Sequence, residues 1–253
     1  MPLPESNLKD LELARKQTSA SPASPRHSES AWSFWRSVVI TLAVALGIRH
    51  VLVEARYIPS GSMLPSLQIQ DRLLVEKLTY RRQPPRRGEI VVFRSPHRFD
   101  PVLAGSSDPN PLRCLLVNLP VVGNLPGLAS PACDAYIKRV VALPGERVVV
   151  DPLGQISING RRLEEPYVQN LCPVDAQGMG PCRTINAVVP PDHVLALGDN
   201  RANSWDGRFW PGGPFIPSQE IIGRAFWRFY PFDQMGSLVP LSTAPPAASS
   251  TAP

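Results

Sequence analysis

Tyr136-Ile137-Lys138-Arg139-Val140-Val141-Ala142-Leu143 is a short apolar, β-branched run carrying two adjacent cations. It reads as a strand over Ile137–Leu143. Period-two alternation places Lys138, Val140 and Ala142 on one face and Arg139 and Val141 on the other. Lys138 therefore shares a face with apolar neighbours, an unusual place for an ammonium. The commonplace alternative is an edge-strand lysine that blunts aggregation. Working outward, similar runs recur at Arg72–Val75, Glu89–Phe93, Arg147–Val150, Gln155–Ile158, His193–Leu197 and Gly223–Phe229. Pro and Gly cut the chain between them, and Asn159-Gly160 is a two-residue hairpin signal because both positions tolerate positive φ. Thirty of the 253 residues are proline, over twice the usual share of about 5%. That much proline caps helix content, so the fold expected beyond residue 56 is mainly β.

Flanking segments differ in composition. Residues 1–31 mix Ser, Pro and both charges, and the tail 235–253 runs into Pro, Ala, Ser and Thr. Neither can bury enough apolar surface to offset its ordering entropy, so both are expected to be disordered. Between arm and β region, Val38 to Ile48 is eleven residues without a charge, preceded by Trp32, Phe34 and Trp35. A span needs about 20 residues. Extension through Val51-Leu52-Val53 supplies the length, with Arg49 near an interface where it can snorkel. A cleaved signal peptide is the competing reading, but no small-x-small site follows promptly and thirty residues precede. A single transmembrane anchor over 32–55 is expected. Its orientation is not fixed by charge, because arginines lie on both sides of the segment. Residues 95–135 form a Pro/Gly/Ser-rich insert, longer than an ordinary loop.

A net charge of +5 is modest. It suits either plain solubility or attraction to anionic lipid headgroups. The basic residues lack aromatic interleaving of the stacking type, so no nucleic-acid partner is expected. Cys114, Cys133, Cys172 and Cys182 show no C-x-x-C or Cys/His spacing, so no metal is expected. Four cysteines in an exported domain suggest disulfides, with Cys114–Cys133 and Cys172–Cys182 the local pairings and buried free thiols the alternative.

The chemistry rests on two further stretches, Pro59-Ser60-Gly61-Ser62-Met63-Leu64-Pro65 and Gly198-Asp199-Asn200-Arg201-Ala202-Asn203-Ser204-Trp205-Asp206-Gly207-Arg208. Ser62 sits in a tight Gly turn stiffened by prolines, and a serine hydroxyl needs a base to become a nucleophile. Four histidines are available. His27 lies in the arm, His50 in the membrane segment, His97 in a loop, and His193 opens an apolar strand. No G-x-S-x-G elbow or H-E-x-x-H motif is present. A lysine can replace histidine when burial lowers its pKa, by up to about 3–5 units. Asp199 is placed to pair with Arg139 and Asp206 with Arg208, although a strand-terminating Asp/Asn/Gly turn has the same composition.

The three blocks, in their chain order of serine turn, lysine run and 198–208 stretch, resemble the type I signal peptidases, over roughly residues 32–234. The resemblance implies a β-rich catalytic domain over 56–234 acting as a serine endopeptidase. It implies Ser62 as nucleophile, Lys138 as general base, and the Ser62 N–H and Ser60 hydroxyl as oxyanion donors. Ser204 would orient the lysine, with Asp199, Arg139, Asp206 and Arg208 in support. Ile58 and Pro59 would line the pocket nearest the cut, and Tyr136 and Ile137 would pair with substrate. Implied partners are the signal peptides of exported preproteins and the lipid bilayer, with the secretion translocon as a candidate; no cofactor is implied. The site would stand on the outer face of the cytoplasmic membrane. Two departures are visible: Ala202 where many relatives carry Asp, and Trp210-Pro211-Gly212-Gly213-Pro214 in place of a shorter continuation. Competing readings are another Ser/Lys processing protease, or a tethered β module that binds exported peptides without cutting them.

Overall fold

The structure, a computed structural model, describes residues 31–103, 134–177 and 180–238. The expected arm, most of the insert, the tail beyond Leu238, Cys114 and Cys133 lie outside the described residues. The first element, helix α1, spans Ala31–Val51. Its Trp32, Phe34, Trp35, Val39, Ile40 and Leu42 are exposed. Among the described residues no helix is long and apolar enough to cross a membrane, which corrects the anchor expected over 32–55. The uncharged run Val38–Ile48 yields only about 16 Å of helix at 1.5 Å per residue, against a hydrocarbon core of about 30 Å. The lengthening through Val53 does not occur either, because the helix stops at Val51 and Val53 opens the first strand.

Among the described residues twelve strands follow: β1 (Val53–Tyr57), β2 (Arg72–Glu76), β3 (Ile90–Arg94), β4 (Ala135–Ala142), β5 (Arg147–Val150), β6 (Ile156–Ile158), β7 (Arg161–Arg162), β8 (Ile185–Val188), β9 (His193–Leu197), β10 (Phe215–Pro217), β11 (Ile221–Tyr230) and β12 (Gly236–Ser237). The larger sheet runs β1-β2-β11-β3-β4-β9-β10, with β12 on β11, and the smaller runs β7-β6-β5-β8. All their pairings are antiparallel. The domain is mainly β, as composition required.

Asn159 and Gly160 both take positive φ, 52° and 80°, and close the β6–β7 hairpin. The ten-residue β11 shifts register against β2 and β3. Such irregularities bend a strand and raise its twist, curling the larger sheet. Gly223 sits at one of them, where a Cβ would collide with the Glu76 carbonyl.

The near-continuous apolar run of β3 is explained by burial on both faces. Ile90 and Val92 pack with Ile58, Met63, Leu67, Leu73 and Val75. Val91 and Phe93 pack with Val140, Val194, Ala196 and Trp210. A third cluster joins Val141, Ala142, Leu195 and Leu197 to the smaller sheet. β4 thus lies at the junction of all three clusters. Its alternation breaks after Val140, where the pairing with β9 slips by one residue. Val141 and Ala142 therefore enter the same cluster, and the expected common face of Lys138, Val140 and Ala142 ends at Val140.

Candidate active site

The serine turn is a single 3-10 turn over Gly61–Met63, entered from an extended Ser60. Met63 and Ile58 anchor it in the apolar cluster below. From the other side the 198–208 loop grips its backbone. The Asn200 N–H donates to the Ser62 carbonyl at 3.2 Å, and Asn200 Nδ2 donates to the Gly61 carbonyl at 3.0 Å. Asn170 Nδ2 donates in turn to Asn200 Oδ1 at 2.7 Å. Gly198 is required by space: a Cβ there would collide with the Ser204 side chain and lie 2.5 Å from the Ser62 carbonyl oxygen.

Register delivers the lysine. β4 pairs with β3 so that Lys138 stands opposite Val91, and its side chain is 3% exposed. Lys138 Nζ donates to Ser62 Oγ at 2.8 Å and to the Ile137 carbonyl at 2.9 Å. Burial pushes the amine down to about 8, against the opposing pull of the Asp206 and Asp199 carboxylates, with Arg208 adding to the lowering. A nucleophile candidate and a base candidate, 76 residues apart in sequence, thus share one hydrogen bond away from water.

The surrounding charges are paired. Arg139 clamps Asp199 through Nε and Nη2, at 2.9 and 2.6 Å. Its Nη1 donates to the Gly88 carbonyl at 2.9 Å, and its guanidinium lies 4.1 Å above the Tyr167 ring. Arg208 Nε and Nη2 donate to Asp206 Oδ1 and Oδ2, each at 2.9 Å, and Oδ2 also accepts the Gly198 N–H at 3.0 Å. Burial alone would raise the Asp206 pKa, but Arg208, the Gly198 N–H and Lys138 hold it below the usual carboxylate range. Two buried ion pairs thus fix the loop that grips the serine turn.

One expected contact does not form. The buried Ser204 hydroxyl has no hydrogen-bond partner among the described residues, since it packs against Gly198 while Lys138 uses Ile137 and Ser62. Ser60 and Pro59 are exposed beside the turn. Ile58 is buried, and it shares a cluster with Ile137 beneath Ser62. Tyr136 is half-buried and packs against the other cluster. Cys172 and Cys182 form a disulfide, and Arg208 Nη1 lies 3.2 Å from Cys172 Sγ. Among the described residues no group of His, Cys, Asp and Glu is arranged to hold a metal.

The family model described as "Signal peptidase, peptidase S26" matches residues 31–230. The chain belongs to this family. It is 42% identical over 205 residues to a signal peptidase I of Leptolyngbya laminosa, covering 81% of this chain and 82% of that one. It is 38% identical over 224 residues to a probable signal peptidase I-2 of Synechocystis, covering 88% and 84%. A solved signal peptidase I from Enterococcus faecalis covers 56% of this chain and 97% of its own, at 21% identity and a TM-score of 0.35, a likeness too weak to bear on the fold. The chain is therefore a peptidase of the S26 family.

Sequence reasoning passed over several members of this site. Asn200 holds the serine turn through its backbone N–H and its side-chain amide, Asn170 holds Asn200, and Gly198 leaves room for Ser204 and the Ser62 carbonyl; an Asn/Gly loop has this composition whether or not it grips anything. Arg201, 1% exposed, donates to Glu165 Oε1 at 2.5 Å and through Nε to the Gly198 carbonyl at 3.2 Å. An arginine between Asn200 and Ala202 in a polar run reads as exposed, so its burial left no signal in the sequence.

Burying Lys138 also costs stability. Its pKa falls from 10.5 unfolded to about 8 folded, a difference of 2.5 units that corresponds to about 3 kcal/mol at 1.36 kcal/mol per unit. The folded pKa is depressed for a cation, so the penalty is full below pH 8. It disappears as pH rises towards 10.5, where the unfolded chain also loses the proton. Lys138→Met should therefore raise the melting temperature at pH 7, with the gain shrinking between pH 8 and 10.5. An unchanged or lower melting temperature at pH 7 would contradict the burial cost.

Proposed function

We propose that this S26 peptidase is a membrane-bound signal peptidase that removes N-terminal signal peptides from exported preproteins at small-x-small sites, through a Ser62/Lys138 dyad. The observation that carries the reading is the 2.8 Å contact of Lys138 Nζ with Ser62 Oγ, both groups buried. A neutral amine with its lone pair turned to the hydroxyl takes the Ser62 proton as Oγ attacks the scissile carbonyl. The Ser62 N–H and the Ser60 hydroxyl are the donors for the oxyanion, each typically worth a few kcal/mol in such a role. The Lys138 ammonium returns the proton to the departing amine. The neutral amine then activates water to release the signal peptide from Ser62.

Substrate has a strand edge to occupy. β4 pairs with β3 over Ala135–Arg139 but meets β9 only from Arg139 onwards. Among the described residues no strand pairs with Tyr136–Lys138 on the side away from β3, so an extended chain can add there by main-chain hydrogen bonds. Residues two apart in that chain then face the buried Ile58 and the half-buried Ile137 together. The cytoplasmic membrane, with the β domain on its outer face, is the proposed location. Support for membrane contact comes from the exposed Trp32, Phe34 and Trp35 of α1. The lipid bilayer and the secretion translocon are the proposed partners beside the preprotein.

The test is release of a leader from a purified preprotein by the purified chain in detergent. Ala→Leu at the first or third position before the cut should abolish it. Forcing a branched side chain against a packed surface costs about 1–3 kcal/mol or more, roughly tenfold to over a hundredfold in rate. Equal rates for Ala and Leu at the position before the cut would exclude the signal-peptidase reading even if Ser62 proved to be the nucleophile.

A further inference from the structure

Tyr136 and Lys138 lie two apart on β4 and project to one face, about 7 Å apart along the strand. Across Tyr136 lies Trp205, ring centroids 5.7 Å apart. His97 stacks on Trp205 at 6.4 Å, with 28° between the planes. Behind this outer group is a second layer: Phe93 contacts Tyr136 at 6.1 Å and Trp210 at 5.8 Å, and Trp210 contacts Trp205 at 6.2 Å. The two layers differ in exposure. Phe93 and Trp210 are 0% and 3% exposed, whereas Trp205 is 39% exposed between the buried Ser204 and Asp206. A tryptophan needed only for packing would be expected to join the inner layer. This one keeps more than a third of its surface exposed beside Tyr136, on the strand face that carries Lys138, and the rings behind it hold it in place.

We propose that Trp205, flanked by Tyr136 and His97, is a specificity-determining residue that selects an apolar side chain of the preprotein beside the scissile bond. The side chain comes from one of the two adjoining positions that the small-x-small pattern leaves open, the second before the cut or the first after it. The inference rests on the Ser62/Lys138 reading, which places the scissile bond beside this wall. A rigid aromatic surface discriminates without ordering cost of its own. It favours apolar groups because an acidic side chain would lose water there and gain no donor in return.

The experiment uses the full chain in detergent and two pairs of preprotein substrates, with Leu or Asp at each of the two positions. At one of them the wild type should favour Leu by about three- to tenfold in KM, the scale of an aromatic contact. Trp205→Ala should remove that preference, Trp205→Phe should keep most of it, and Trp205→Lys should turn it towards Asp. A merely structural residue would not produce the reversal. Loss of kcat/KM by one common factor across all four substrates would overturn the proposal, as would a wild type without preference at either position. Ser62→Ala, run beside them, separates the two ideas: if that variant still cleaves, the dyad itself fails, whatever the Leu-to-Asp ratio.

Discussion

Ser62→Ala and Lys138→Ala should each abolish preprotein cleavage, and the double variant should be no worse than either. The hydroxyl and the amine share one hydrogen bond, and groups that act as a unit lose nearly everything together. The expected loss is on the order of 10⁴-fold or more in kcat. Ser62→Ala keeps what holds the turn, since the contacts from Asn200 go to the carbonyls of Ser62 and Gly61. The fold should therefore survive, checked by an unchanged circular dichroism spectrum. Lys138→Ala removes a buried side chain but also a desolvated cation, so its stability should change little. Additive losses in the double variant would mean two independent roles. Measurable turnover by Lys138→Ala at neutral pH would mean that another group is the base.

Lys138→Arg should be as inactive as Lys138→Ala, although positive charge is kept. A guanidinium does not give up its proton at working pH, and at a site 3% exposed it must also displace its neighbours. The same logic sets the pH profile. With the amine at about 8, roughly one tenth is neutral at pH 7, against about three in ten thousand for an ordinary lysine near 10.5. Burial thus raises the available base by a few hundredfold. In wild type, kcat/KM should rise tenfold per pH unit below pH 8 and level off above it. An optimum below about pH 5 would contradict a neutral lysine as base. Because Asp206 and Asp199 oppose the shift, Asp206→Asn should move the rising limb to lower pH, provided that its contact with Arg208 is retained.

Much of this architecture was legible from local signals. Alternating or continuous β-branched runs announced β2, β3, β4, β5, β6, β9 and β11, and Asn159-Gly160 announced the hairpin. The strands passed over are short or lie near Pro: Arg161–Arg162, Phe215–Pro217 and Gly236–Ser237 carry too few residues to show a period, and Ile185–Val188 is a four-residue stretch just before Val189-Pro190. Val53–Ala55 falls within the anchor expected over 32–55, because Val51-Leu52-Val53 prolongs the apolar run. Their partners on β2 decided otherwise, with Val53 opposite Glu76 and Tyr57 opposite Arg72. The bulge after Val140 was equally hidden, because register is a property of two strands together.

The candidate site divides in the same way. Residue type and spacing marked Lys138 as a cation in an apolar run and Ser62 as a serine in a Pro/Gly turn, each with a commonplace alternative, and the resemblance of the three blocks to the signal peptidases gave them their roles. Pairing of Arg139 with Asp199 and of Arg208 with Asp206 could be anticipated from charge. Tertiary structure decided everything that depends on approach through space. It brought Lys138 Nζ to Ser62 Oγ across 76 residues, turned that amine towards the Ile137 carbonyl rather than the Ser204 hydroxyl, and set Trp205 against Tyr136. It also recruited Asn200 and Arg201, which donate to the Gly61 and Gly198 carbonyls, groups that every residue possesses, and Asn170, which donates to the Asn200 side chain. Local sequence records which groups are chemically out of place, but the distances that let them react arise only when separate strands are packed in one register.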